Sequence, residues 1–146
     1  MLDTMNVDNF IVKSNLNNKW KWKFKRQKTF TLPFYLAVPS ENPLTIYSRS
    51  GRVLVEAYED KVKIKTHYHF DGATCAPDFK RVLMAAALHD VLLQLKDRYP
   101  KKLEEADAHF AFKEEMKAQG FRLWPLYYWG VSGLPRRIYK LFKKEK

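Results

Sequence analysis

From Lys19 to Lys25 the chain reads Lys-Trp-Lys-Trp-Lys-Phe-Lys, strict alternation with the period of a β-strand. Such a strand turns Trp20, Trp22 and Phe24 inward and Lys19, Lys21, Lys23 and Lys25 outward. The lysine face reads as a solvated edge that blocks further strand pairing, or as an anion-facing ribbon turned toward phosphates. Residues 29–38 are aromatic and β-branched but contain Pro33, which has no N–H for a ladder and so marks an edge or bulged strand. Two hairpin signals follow. Ser50-Gly51 separates residues 44–48 from 52–57, and Glu59-Asp60 separates that strand from residues 61–67. In the last strand Val62 and Ile64 alternate with Lys61, Lys63 and Lys65. The N-terminal half therefore reads as an antiparallel meander.

After a loop over residues 70–76 the period changes. Pro77 suits a first helical position and Asp78 the positive end of a helix, which predicts a helix from there to about Arg98. Its apolar residues, Val82 to Leu88 and then Val91, Leu92, Leu93 and Leu95, surround most of the cylinder, the pattern of a central, nearly enclosed helix. Tyr99-Pro100 ends it. A second helix is predicted over residues 101–119, with Gly120 as its cap and Leu103, Ala106, Phe110 and Met116 as its inner stripe. An aromatic segment over residues 121–129 follows, and then a basic helix over residues 134–144. The order predicts one α+β domain: an antiparallel β-rich part (residues 19–68) packed against a helical part (residues 77–144) made of two main helices and a short basic one.

Composition adds limits. The chain has 146 residues, enough to bury about two-thirds of the surface of its unfolded form without a metal or disulfide. Its lone cysteine, Cys75, excludes an internal disulfide. The first residues lack a signal-peptide pattern, so export is not expected. Residues 82–95 form the longest apolar run, interrupted by His89 and Asp90 and shorter than the roughly 20 residues of a membrane span. Of the net charge of +11, residues 1–40 carry +5, residues 41–100 +1 and residues 101–146 +5. Both ends are basic, which fits an acidic protein neighbour, nucleic acid or an anionic surface.

An ionisable pair inside an apolar helix costs several kcal/mol unless partners satisfy it, so His89 and Asp90 need partners. Asp71, in the loop entering the helix, and Asp107, on the second helix, are the candidates. A histidine with such carboxylates can hold a divalent metal (Asp71, His89 and Asp107 as ligands), or act as an oriented general base in a catalytic set with Asp90. The same residues can equally bridge loop to helix and helix to helix by hydrogen bonds. Cys75 reads as a small hydrophobe, with a thiol nucleophile as the other reading. No phosphate loop, nucleophile elbow or zinc-protease motif is present. The aromatics Trp124, Tyr127, Tyr128 and Trp129, with Arg136 and Arg137, are the residue types that dominate interface cores.

The runs FDGATCAP, AAALHDVLL and EEADAHFAFKEEMKAQG, in that order, resemble a family of tailed-phage and prophage proteins catalogued as domain of unknown function 1353. The resemblance covers residues 60–130 and rests on Asp71, Gly72, Ala73, Pro77, His89, Asp90, Ala106, Asp107 and Phe110. Thr74 replaces the family's usual serine and Cys75 its usual aliphatic residue. The resemblance implies phage origin and a shared polar junction. That setting, together with the aromatic and arginine clusters and the basic ends, favours a structural component of the virion, in tail, neck or capsid, whose partners are other virion proteins and which can form oligomers. It places the chain in the virion, or in the host bacterial cytoplasm before assembly. A metal-dependent hydrolase and a basic nucleic-acid-binding accessory protein are the alternatives. The expected cofactor is none, or a divalent metal.

Overall fold

The computed structural model describes residues 10–14, 22–70 and 79–131. Over these described residues it is an α+β fold of two antiparallel sheets followed by three helices. One sheet has the order β1 (Ile11–Lys13), β2 (Trp22–Phe24), β7 (His69–Phe70). The other has the order β3 (Lys28–Thr31), β6 (Lys61–Ile64), β5 (Val53–Tyr58), β4 (Leu44–Tyr47). The expected meander is present as β4–β5–β6, and β3 crosses over to pair with β6. The expected strand over residues 29–38 is shorter than its composition suggests. Pairing stops at Thr31, before Pro33. Beyond it the chain stays attached to the hairpin end through Leu32 N–H to Asp60 O and Leu36 N–H to Glu59 O.

Both hairpins form where the turn residues indicated. At Ser48–Arg52 the turn uses Gly51 at a φ of 87°. At Glu59–Asp60 a φ of 51° at Glu59 supplies the left-handed residue that a two-residue loop needs to match strand twist. Alternation then sorts the sheet. Phe30, Val62, Ile64, Val55, Ala57, Ile46 and Leu44 face the core. The outward lysines are partly neutralised: Lys65 pairs with Glu56 at 3.2 Å and Lys61 with Asp60 at 3.4 Å.

Helix α1 (Lys80–Arg98) starts at Lys80 with Phe79 as its N-cap, three residues later than the Pro77 start expected. Its burial is two-sided, as the near-continuous apolar run predicts. Leu83, Met84, Ala87, Leu88, Val91, Leu92 and Leu95 join the sheet core, while Val82, Ala85 and Ala86 face the other helices. Helix α2 (Glu105–Ala118) starts later than residue 101 and turns a different face inward. The expected stripe through Ala106 and Phe110 is on the outside. That register runs on into Lys113, Glu114 and Lys117, whereas Ala108, Ala111, Phe112 and Met116 form an uninterrupted apolar stripe and are buried. Gly120 ends α2 as expected. At a φ of 73° it lets its own N–H reach Lys117 O at 3.0 Å and the Phe121 N–H reach Met116 O at 3.0 Å, with the Phe121 and Met116 side chains in one cluster. The aromatic segment forms a third helix, α3 (Trp124–Val131). The basic helix expected over residues 134–144 lies outside the described residues.

At the edge of the four-stranded sheet, the Tyr99 hydroxyl accepts the Thr45 N–H and donates to the Thr45 carbonyl, both at 3.3 Å. Two main-chain groups that would otherwise template another strand are thereby occupied. Tyr99→Phe should lower stability by about 1 to 2 kcal/mol, through a buried donor and acceptor left unpaired, measured by urea unfolding. An unchanged midpoint would show that water replaces the hydroxyl.

Candidate functional site

Helices α1 and α2 form an antiparallel hairpin turned at Tyr99. Two stripes at helical spacing meet along it: Val82, Ala85, Ala86 and His89 on α1, and Glu105, His109, Phe112 and Met116 on α2. At the level where the apolar stripe of α1 becomes polar, His89 meets His109. The His89 Nε2 to His109 Nδ1 distance is 3.0 Å. The ring centroids lie 5.1 Å apart with an interplanar angle of 26°. That separation exceeds the N···N distance by nearly two ring radii, the most it can, so the nitrogens face each other nearly head-on. Head-on nitrogens share a proton. Two nitrogens on one metal would instead converge at an angle, leaving room for the ion.

Each ring has a carboxylate toward its outer nitrogen. His109 Nε2 lies 3.3 Å from Glu105 Oε1, and His89 Nδ1 lies 4.0 Å from Asp90 Oδ1, the second distance too long for a hydrogen bond. Phe112 packs against the His89 ring at 5.1 Å. His109 is buried, and the Glu105 side chain is exposed. The arrangement is a carboxylate–imidazole–imidazole–carboxylate series running from solvent into the helix interface. Burial, and then the nearby His109 ring, lower the His89 imidazole from 6.5 to about 4, so His89 is neutral at pH 7.

Of the residues singled out from sequence, His89 and Asp90 are at this junction. Asp107 is not in contact with His89: its carboxylate accepts the Glu104 N–H at 2.9 Å and so caps its own helix. Asp71 and Cys75 lie outside the described residues. Among the described residues, no group of three or more His, Cys, Asp or Glu side chains is placed to hold a metal ion. His109 was missed. It sits one position past Ala108 in a segment read for Asp107 and Phe110, and the rotated inner stripe hid it.

A second polar pair lies two turns along α2. Gln119 donates to Glu115 at 3.1 Å. Burial raises the Glu115 carboxyl, opposed by that hydrogen bond and by Lys28.

The expected interface aromatics divide. Tyr127 is a core residue, buried beside Val82, Phe112 and Met116 and meeting Phe121 edge-on at 5.1 Å. Trp124 and Tyr128 pack partly against the same cluster and carry cations on their rings, Lys117 at 5.3 Å from Trp124 and Lys113 at 5.3 Å from Tyr128. Trp129 is on the surface, as are Leu123 and Leu126, which sequence reading did not select. Arg136 and Arg137 lie outside the described residues. So do Lys19 and Lys21. Lys23 lies between Val12 and His69 in the three-stranded sheet, and Lys25 is exposed beyond its end. Among the described residues no helix is long and apolar enough to cross a membrane. No protein-family model, curated protein or solved structure matches the chain.

Proposed function

We propose that this protein is a virion-associated structural component of a tailed phage, acting through protein–protein contact. The observation that carries the reading is the outer face of α3. Leu123, just before α3, and Leu126 and Trp129 on it are 47%, 63% and 43% exposed, a concentration of large apolar side chains along one short segment. Isolated exposed apolar residues need no explanation, but neighbours on one face mark a contact surface. The resemblance of residues 60–130 to tailed-phage proteins supplies the setting.

The partner that fits is another particle protein presenting an apolar ridge rimmed by Asp and Glu. Around α3 stand Lys113, Lys117 and Arg122, and the chain as a whole carries +11. Opposite charge at such a rim steers association and rejects basic neighbours. The wild-type protein should be found in purified particles by mass spectrometry. Leu126→Glu should reduce its incorporation at least tenfold while leaving thermal unfolding of the free protein unchanged, because Leu126 is largely solvated already. Absence of the wild-type protein from particles would overturn the virion reading. Equal incorporation of Leu126→Glu would remove α3 as the contact. Steeply salt-dependent DNA binding by the free protein would favour nucleic acid as the partner instead.

A further inference from the structure

We propose that the His89–His109 bond is a proton-operated clasp between α1 and α2: it holds the hairpin shut while the two rings carry at most one extra proton, and it releases α2 and α3 from α1 when a second arrives. The reason is the count of donors. A head-on N···N contact needs one N–H and one lone pair. In the neutral pair, His109 Nε2–H faces the Glu105 carboxylate, leaving His109 Nδ1 as the acceptor for His89 Nε2–H. A first proton is accommodated without loss. On His109 it makes that ring a donor at both nitrogens, to Glu105 and to His89 Nε2, and His89 then carries its own proton on Nδ1, toward Asp90. A second proton puts N–H groups on both facing nitrogens at 3.0 Å, and two positive charges across a buried contact.

Among the described residues, the titratable groups facing the pair are Asp90 from α1 and Glu105 from α2, each toward an outer nitrogen. The ion pairs of the two rings, among the described residues, are those with Asp90 and Glu105, and none comes from the sheets or from α3. The carboxylates therefore stabilise the first charge without relieving the clash of the second. Phe112 packs against one side of the His89 ring.

The direction follows from His89, whose imidazole is held at about 4 in the folded chain against an ordinary 6.5. Folding favours its neutral form. The stability this contributes is fully present above 6.5, declines as pH falls from there, and is exhausted as pH passes through about 4. The span corresponds to roughly a 300-fold change in the closed-to-open ratio. Opening should be local. α1 keeps its other face on the sheets through Leu88, Val91, Leu92 and Leu95, whereas α3 is held by the cluster that includes Val82, Phe112 and Met116.

The test is hydrogen exchange and imidazole NMR on the full chain between neutral pH and about 4. Amide protection in α2 and α3 should fall by roughly 100-fold or more, while β5 and β6 keep most of theirs. The His89 ring should titrate at about 4. His109→Gln offers His89 a partner that does not titrate, and should shrink the acid step in α2 and α3 to the part that burial of His89 sets. Titration of His89 near 6.5, or an acid step unchanged in His109→Gln, would overturn the clasp. If that variant does not fold, the wild-type imidazole titration decides alone.

Discussion

Phe112→Ala should destabilise the protein by about 3 to 5 kcal/mol, seen as a lower urea midpoint and a melting temperature reduced by roughly 10 °C. Phe112 is 1% exposed and lies between three things at once: the small residues Ala85 and Ala86 of α1, Met116 one turn along its own helix, and the His89 ring. Ala85 and Ala86 are why the loss should lie at the upper end. They let the two helix backbones approach, so neither has a side chain long enough to fill the space a missing ring leaves. The cavity adds its cost to the lost transfer energy. Against a total stability of about 5 to 15 kcal/mol, that is a large fraction. A cost below about 1.5 kcal/mol would mean that α2 collapses onto α1 and that the interface is less closely packed than the buried residues indicate. Phe112→Leu, which keeps most of the volume, should restore the greater part of the loss.

The same helix shows what the sequence discloses and what it conceals. Strands β4, β5 and β6 were readable because each is bounded by turn residues with a mechanism, and because one-face burial gives strict alternation. The central position of α1 was readable because burial on two sides removes alternation altogether. The face of α2 was not. Leu103, Ala106 and Phe110 are spaced as a helical stripe, but Leu103 precedes the helix, whose start at Glu105 follows the Asp107 carboxylate closing on the Glu104 N–H. Once the start moves, the stripe rotates. Asp107 then belongs to a helix terminus, Phe110 to the surface, and His109 to the interface. A geometric clue was present: His89 and His109, 20 residues apart, lie equally far on either side of Tyr99, where an antiparallel hairpin brings residues level. An imidazole beside carboxylates suggests a metal or acid–base set, and that pattern draws the eye to Asp71 and Asp107 and away from His109. The outer face of α3 was concealed for a related reason. Aromatic character suggests a contact surface, yet Tyr127 is the residue that anchors α3 to α1 and α2, and the leucines are what it leaves outside.

His109→Leu and His89→Leu should each cost about 1 to 3 kcal/mol at neutral pH, and the double variant should cost clearly less than their sum. Each single change leaves one imidazole nitrogen at the part-buried hairpin interface with its partner gone. That penalty, and not the net value of the hydrogen bond, sets the size of the effect. The double variant has no polar atom left to satisfy there. Leucine fills a similar volume against Phe112, Ala85 and Ala86, and an apolar pair in place of a polar one inside a packed interface is commonly neutral. The cycle should therefore give a coupling of about 1 to 2 kcal/mol, read from urea unfolding of the four proteins under one condition. It also separates the clasp from ordinary packing. If the two histidines served only as bulk, the single costs would add to within about 0.5 kcal/mol, and the head-on contact of His89 with His109 would have no energetic role in keeping α2 against α1.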